Sequence, residues 1–442
     1  MARRRAHVPL NVFLNNRLVG RLNKQASGAI EFAYDRSWLD WEHALPVSLS
    51  LQLREARYTG AAVTAVFDNL LPDAAPIRTR VAERVGAAGT DAYSLLSRIG
   101  RDCVGALQFL PDGDEMTVTG ALNGEGLDET AIEAILLDLA RAPLGLHGDD
   151  AFRISIAGAQ EKTALLRDGE RWLRPVGTTP TTHILKPQIG HIETSSGTID
   201  LTNSVENEWY CLKLLEAFGL EVNRVEMASF GRVRVLVIER FDRLHTRDGR
   251  LIRLPQEDCC QALSVPPTRK YQSEGGPGIG DIVKLLGASD RPGADQLAFF
   301  KAQIIFWLIG ATDGHAKNFS VALLPGGRFH LTPFYDVLTA QPSVDSRRVP
   351  QKAFKLAMSI GGGRYRIADI HGRHFVEIGR AAGLGPAVIR QALDEVRASV
   401  EPLAARMEVV LPRDFPEAIH ASVQRAVTSR LERLATGEGL PL

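Results

Sequence analysis

Four side chains with chemical capability crowd into one short stretch, ATDGHAKN (Ala311–Asn318): the carboxyl of Asp313, the imidazole of His315, the ammonium of Lys317 and the amide of Asn318. The Asp-x-x-x-x-Asn spacing from Asp313 to Asn318 serves phosphoryl transfer when the acid orients an attacking hydroxyl and the amide holds Mg²⁺. An apolar run over Gln303–Ile309 precedes it and predicts a buried helix; polar residues directly after such a helix mark a candidate site loop. Taken alone, the stretch serves equally as a helix-terminating turn made by Asp313 and Gly314.

The residues that follow read as a β-hairpin: FSVALL, then PGG, then RFHL and TPFYD, with the turn near Gly326 and Gly327. Asn318 and Asp336 lie nine residues either side of Gly327, so the hairpin should bring them together at its open end. Mg²⁺ takes only a couple of protein oxygens and leaves its other positions to phosphate and water. Asp313 would stand beside that pair without ligating. A metal-dependent hydrolase also gathers carboxylates around Mg²⁺, but needs no lysine strand or phosphate loop upstream and usually wants more ligands.

Such upstream parts are present. FRISIAGAQEKTALL (Phe152–Leu166) carries two short β-type runs, Arg153–Ile156 and Thr163–Leu166, joined through the small residues Ala157, Gly158 and Ala159. Small residues let backbone amides approach an anion closely. The pattern is neither a Walker loop nor Gly-x-Gly-x-x-Gly, and a plain hairpin explains it too. THILKP (Thr182–Pro187) reads as a strand ending in Lys186, the place where kinases keep a phosphate-gripping lysine; an edge lysine in solvent is the simpler reading. A helix over Asn203–Phe218 follows, with Asn203 and Glu206 in capping-box spacing and Gly219 as its stop. Either Glu206 or Glu208 could pair with Lys186, and spacing does not choose. RVRVLVIERFDR (Arg232–Arg243) alternates as a strand whose exit, Glu239-Arg240-Phe241, falls where a hinge would lie, although an ordinary buried strand accounts for it.

These parts sit in a chain of 442 residues, 45% hydrophobic and 24% charged, enough for two or three domains with full cores. Lys plus Arg equals Asp plus Glu at 52 each, so no global field draws the protein to nucleic acid or an anionic membrane. Cys103, Cys211, Cys259 and Cys260 show no C-x-x-C spacing, which points away from a zinc site or a disulfide framework. The N-terminal MARRRAHVPLNVFL is interrupted by asparagines and reads as a cytosolic start; the longest apolar run is about half a bilayer span. The expected location is therefore the cytoplasm, without a membrane partner. Residues 7–35 alternate in short runs like a meander or small barrel. Helical periodicity covers Ala61–Arg84, Asp91–Ile99 and residues 126–142, and FDNLLPD (Phe67–Asp73) reads as packing and turn-making. A boundary is expected near Pro143–Gly148, and Leu254–Gly280 reads as a substrate-facing loop or, preferred, a glycine-rich linker between helices.

In one order, the strings ISIAGAQEKTALL, TPTTHILKP, ENEWYCLKL, VIERFDR, RLPQEDCCQ, GGPGI, WLIGATDGHAKNFSV and LTPFYD resemble the HipA kinases, the toxin component of bacterial HipBA toxin–antitoxin modules. The resemblance covers nearly the whole chain. It implies an α+β, two-lobed protein-kinase-like fold: an N-terminal β-containing subdomain (1–110), a kinase N-lobe (111–242) and a mostly helical C-lobe (243–442). It implies a serine/threonine protein kinase, a transferase using ATP and Mg²⁺. Asp313 becomes the catalytic base and Asn318 and Asp336 the Mg²⁺ ligands. Lys186 holds phosphates, covered by the loop Ala157, Gly158, Ala159, Gln160, Glu161 and Lys162. The backbone of Glu239, Arg240 and Phe241 holds adenine, and His315, Ala316, Lys317, Asn318 and Tyr335 complete the nucleotide site.

Ser155 matches the serine this family autophosphorylates, which expels the phosphate loop and switches the kinase off. The resemblance further implies phosphorylation of glutamyl-tRNA synthetase, arrested translation and persistence. It also implies a dimeric helix-turn-helix antitoxin, HipB, that neutralises the kinase and represses the operon with it at operator DNA. Arg380 keeps one DNA-contacting position of the family and Gly383 lacks another, so DNA contact is expected mainly through the antitoxin. The segment Gln341–Lys352 departs from the family pattern. A reading from another class is a catalytically idle corepressor that acts only through an antitoxin–DNA complex.

Overall fold

The structure, a computed structural model, describes residues 7–114, 122–146, 154–158, 160–194 and 197–435. It comprises two units, one of Met1–Pro187, Ala228–Thr268 and Ser320–Phe329, the other of Gln188–Met227, Arg269–Phe319 and His330–Leu442.

The first unit opens with strands β1 (Leu10–Leu14), β2 (Arg17–Lys24), β3 (Ile30–Tyr34), β4 (Tyr58–Thr59) and β5 (Leu107–Pro111), ordered β4-β3-β2-β1-β5. Alternation in LNVFL turns Leu10, Val12 and Leu14 into the core. Asn15 and Asn16 both take left-handed φ, 44° and 69°, as a two-residue hairpin turn requires. Helices α1 (Arg36–Leu39), α2 (Ala61–Asp68), α3 (Ala75–Arg84) and α4 (Ala92–Ile99) follow or interleave. Phe67 of α2 joins sheet and helix by packing edge-on to Phe109, ring centroids 5.6 Å apart.

A second sheet takes β6 (Gly124–Leu127), β7 (Thr163–Asp168), β8 (Arg171–Pro175) and β9 (His183–Pro187). After the hairpin β10 (Gly190–Thr194) and β11 (Gly197–Leu201), it is completed by β12 (Val225–Phe230) and β13 (Val233–Glu239), in the order β12-β13-β9-β7-β8-β6. Ile132 and Leu136 of α5 (Glu129–Asp138) pack on Leu165, Leu185, Val235 and Val237 to form its core. The β run expected over Arg153–Ile156 does not form: Arg153 lies outside the described residues, and Ile154 makes a single bridge to Asp102 before the backbone turns irregular. Asp102, not a neighbouring strand, holds this backbone, because the Ser155 amide donates to the Asp102 carbonyl at 2.9 Å.

The side chain of Asp102 centres a buried ionic network. Arg243 and Arg253 donate to it at 2.9 Å each, Arg240 at 3.3 Å and the Thr181 amide at 3.0 Å. Burial alone would raise its pKa, but Arg243, Arg253 and Arg240 hold it well below the carboxylate range.

The second unit is mostly helical. It contains α6 (Ser204–Ala217), and after the short α7 (Cys259–Ala262) of the first unit come α8 (Ile279–Leu286), α9 (Pro292–Ile309), α10 (Gln341–Asp345), α11 (Gly372–Ala381), α12 (Pro386–Val400), α13 (Leu403–Val410) and α14 (Glu417–Leu434). The run Gln303–Ile309 is buried on every side within α9, as its unbroken apolar sequence predicts, and Gly310 ends the helix at φ 73°. The capping box expected from Asn203 and Glu206 is absent. The Asn203 side chain makes no cap bond; Gln188 Oε1 takes the Val205 amide at 2.9 Å and Gln188 Nε2 donates to Glu206 at 2.7 Å. A partner distant from the helix displaced the local one.

The stretch Leu254–Gly280 is also more than a linker. It holds strand Gln256–Asp258, helix α7 capped by Asp258, and two short 3₁₀ turns, with Cys259 and Cys260 fully buried. All four cysteines are free thiols. Among the described residues no helix is long and apolar enough to cross a membrane.

Candidate active site

In the second unit the loop after α9 carries Asp313. Gly310 lets the chain leave the helix, and Gly314 lets it turn tightly, since a Cβ there would lie 2.7 Å from the Phe306 ring. The turn is closed by the His315 amide on the Asp313 carbonyl at 2.8 Å and the Asn318 amide on the His315 carbonyl at 2.9 Å. The Asp313 side chain is exposed, and the Tyr271 hydroxyl donates to its Oδ1 at 2.5 Å. Tyr271 also meets the His315 ring edge-on, centroids 4.9 Å apart.

Asn318 is buried and its Nδ2 donates twice, to the Asp313 carbonyl at 2.8 Å and the Asp336 carbonyl at 3.3 Å. Those bonds settle the orientation of the amide and leave Oδ1 as the atom that can ligate a cation. They also bring Asn318, Asp313 and Asp336 together, with Ser320–Leu324 and Arg328–Leu331 forming the hairpin between Asn318 and Asp336. Asp336 has φ 58°, a left-handed backbone unusual for a non-glycine residue. Its loop is anchored by reciprocal bonds between Asn207 of α6 and Thr339, each 2.9 Å, and by the Thr339 hydroxyl on the Ile309 carbonyl at 2.6 Å. Tyr335 donates to the Lys317 carbonyl at 2.9 Å, tying the same loop to the 3₁₀ turn Ala316–Asn318.

Among the described residues no three His, Cys, Asp or Glu side chains form a metal cage. Asn318 Oδ1 and the Asp336 carboxylate are the candidate oxygens for Mg²⁺, which takes few protein ligands.

In the first unit Lys186 is buried on β9, opposite Leu236 of β13. The loop before β7 is pinned at several points. Ser155 is fully buried and its hydroxyl donates to the Leu70 carbonyl at 2.7 Å. The Asp73 amide donates to the Gly158 carbonyl at 3.0 Å, Lys162 Nζ to the Ala157 carbonyl at 2.9 Å, and Gln160 to the Pro187 carbonyl at 3.0 Å. Glu161 pairs with Arg80 at 2.5 Å. Gly158 needs its lack of a side chain, with φ 112° and the Lys162 ammonium 2.4 Å from where a Cβ would stand. Ala159 lies outside the described residues.

Glu239, Arg240 and Phe241 leave β13, where the Arg240 amide is taken by the Thr182 carbonyl at 2.8 Å and its guanidinium clamps Asp242 at 2.7 and 2.9 Å. Arg240 is thereby committed to structure. Arg380 is exposed on α11. Glu206 accepts from Gln188 while Glu208 is fully inside α6.

Sequence reasoning missed Tyr271, Asn207 and the role of Leu70. Tyr271 sits 42 residues before Asp313 in a stretch taken for a linker, and Leu70 acts through a backbone carbonyl that leaves no side-chain signature.

The HipA N-terminal domain family matches residues 10–110 and the HipA-like C-terminal domain family residues 154–403. A Sinorhizobium fredii protein described as a kinase, Y4mE, is 37% identical over 90% of this chain and 91% of its own length. The serine/threonine-protein kinase toxin HipA of Shewanella oneidensis is 28% identical over 79% of this chain and 78% of its own. A chain in the solved complex of Shewanella oneidensis HipA, HipB and operator DNA superposes with a TM-score of 0.80 at 22% identity, covering 98% of this chain and 100% of that one. That likeness gives the α+β HipA-type fold expected above. Matched by both domain families and by a relative along nine-tenths of its length, the chain belongs to the HipA family of toxin–antitoxin kinases.

Proposed function

We propose that the chain is a Mg-ATP-dependent serine/threonine protein kinase and the toxin of a toxin–antitoxin pair. The observation that carries this reading is the Asn318 amide, whose Nδ2 bonds both the Asp313 and Asp336 carbonyls and so gathers the three residues while leaving Oδ1 unused by those bonds. Asp313 would accept the proton of a serine or threonine hydroxyl as that oxygen bonds to the γ-phosphorus and ADP departs. Asn318 and Asp336 would hold Mg²⁺, which supplies charge neutralisation for the phosphates. Lys186 and the loop Ala157–Lys162 would grip phosphate, the Glu239–Phe241 backbone would meet adenine, and His315–Asn318 with Tyr335 would complete the nucleotide site.

The protein substrate we propose is glutamyl-tRNA synthetase, as the resemblance to the HipA kinases implies. The likeness to the HipA of the HipA–HipB–operator complex supports a HipB-like antitoxin and operator DNA as partners; we further propose that DNA is reached mainly through that antitoxin and that Ser155 is the self-inactivating phosphorylation site. Ser155 Oγ is fully buried on Leu70, so phosphorylation there requires the segment to leave that carbonyl. A phosphate could not be accommodated in place, and the loop it belongs to would be released.

Incubation of the full chain with Mg-ATP, with and without glutamyl-tRNA synthetase, followed by mass spectrometry, tests these steps. Phosphate on Ser155 and on the synthetase is expected, with the first absent in Ser155→Ala. Labelling at another residue only would refute the regulatory site, and an unmodified synthetase would refute the substrate.

A further inference from the structure

A cavity of about 400 Å³ in the second unit lies beside α14, apart from Asp313, Asn318 and Asp336. Arg425, Ser429 and Arg433 line it at successive four-residue steps of that helix, with Arg430 alongside, and Gln341 and Asp345 of α10 contribute the facing wall. The one carboxylate in this wall is already engaged. Asp345 accepts from Gln341 Nε2 at 2.7 Å, from the Ser422 hydroxyl at 2.5 Å and from Arg425 at 3.3 Å.

Arg430 is different. It is buried, and its guanidinium donates to the Leu308 carbonyl at 2.6 Å and to Gln341 Oε1, both neutral acceptors. Burial, and next the charge of Arg433, push its pKa down to about 10. Asp345 is the one carboxylate whose charge acts on Arg430, and it is bonded to Gln341, Ser422 and Arg425 rather than to this guanidinium, so a further anion that reaches Arg430 would stabilise it.

The cationic heads are also held in place. Arg430 lies 5.4 Å from the Phe354 ring centroid and Arg433 5.6 Å from that of Trp307. Arg433 donates further to the carbonyls of Ile367, Ala368 and Ile370. Guanidinium groups fixed in this way match the oxygens of a phosphate, and the volume is that of a small-molecule site.

We propose that this cavity binds a small phosphate-bearing ligand, its phosphate seated at Arg430 and Arg433 and within reach of Ser429 and Gln341. Such a ligand would couple α14, α10 and the carbonyl end of α9 through Arg430.

Titration calorimetry with inorganic pyrophosphate in Mg²⁺-free buffer tests the site on the full chain. The binding that Ser429→Glu weakens should persist in Lys186→Gln, whose substitution lies in the proposed nucleotide site. Ser429→Glu places a carboxylate on the exposed wall without disturbing the bonds of Arg430; it should weaken binding by about ten-fold or more and raise the Tm of the unliganded protein. Unchanged binding in Ser429→Glu, loss of binding in Lys186→Gln, or no binding by wild type would overturn the proposal. A lower Tm for unliganded Ser429→Glu would contradict the excess of positive charge in the wall, where Arg425, Arg430 and Arg433 face Asp345.

Discussion

At the scale of single residues, the proposed chemistry turns on how Asp313 is held. Its carbonyl is fixed by Asn318 and His315, and its carboxylate is aimed by the Tyr271 hydroxyl. A hydrogen bond to a charged group contributes about 1.5–3 kcal/mol, so Tyr271→Phe should lower kcat by about ten-fold while leaving the KM for ATP nearly unchanged. A steady-state titration of ATP separates the two constants; a raised KM with unaltered kcat would assign Tyr271 to nucleotide binding instead. The convergence of Asn318 and Asp336 was legible in the sequence because hairpin counting is insensitive to tertiary detail, and Asp313 was singled out by its spacing from Asn318. Tyr271 was not, since nothing local distinguishes it from any tyrosine in a glycine-rich stretch.

At the scale of elements, the start of α6 shows why a local signal can fail. Asn203 and Glu206 have the spacing of a capping box, yet Gln188 takes both the Val205 amide and the Glu206 carboxylate. Asn203→Ala should therefore leave the thermal midpoint nearly unaltered, whereas Gln188→Ala should cost about 1 kcal/mol in chemical denaturation, the usual worth of a cap. The opposite ranking would restore the capping box. Helix α9 and the strands β7, β9 and β13 were readable because unbroken or alternating apolar runs leave few other burial schemes. The run Arg153–Ile156 was read as a strand, but from Ile154 on it forms none, because the partner of the Ser155 amide, Asp102, is far away in sequence. The pairing of Lys186 with Glu206 or Glu208 stayed open for another reason: both acids share one helical turn.

At the scale of the whole molecule, stability depends on buried charge. Asp102 answers three arginines, so Asp102→Ala should destabilise the first unit by about 3–5 kcal/mol by leaving those cations uncompensated, as denaturant unfolding would register. Glu257 works in the other direction. Burial raises its pKa from 4.5 to about 8, only partly offset by the Leu49 amide at 2.7 Å. The folded state then keeps a proton that the unfolded chain releases. Its contribution is complete below pH 4.5 and is lost as pH rises toward about 8. Glu257→Gln should abolish that decline and gain stability on the order of a few kcal/mol at pH 8.5 relative to wild type. Equal midpoints at acidic and alkaline pH for both proteins would contradict it. Neither ionic group could be placed from composition, which records only a balanced total of charges. The central claim, that this HipA-family chain is an active kinase, rests on Asp313. Phosphate transfer from γ-labelled ATP should be readily measured in the wild-type chain and abolished in Asp313→Asn, with ATP binding largely retained; full transfer by the variant would contradict the account.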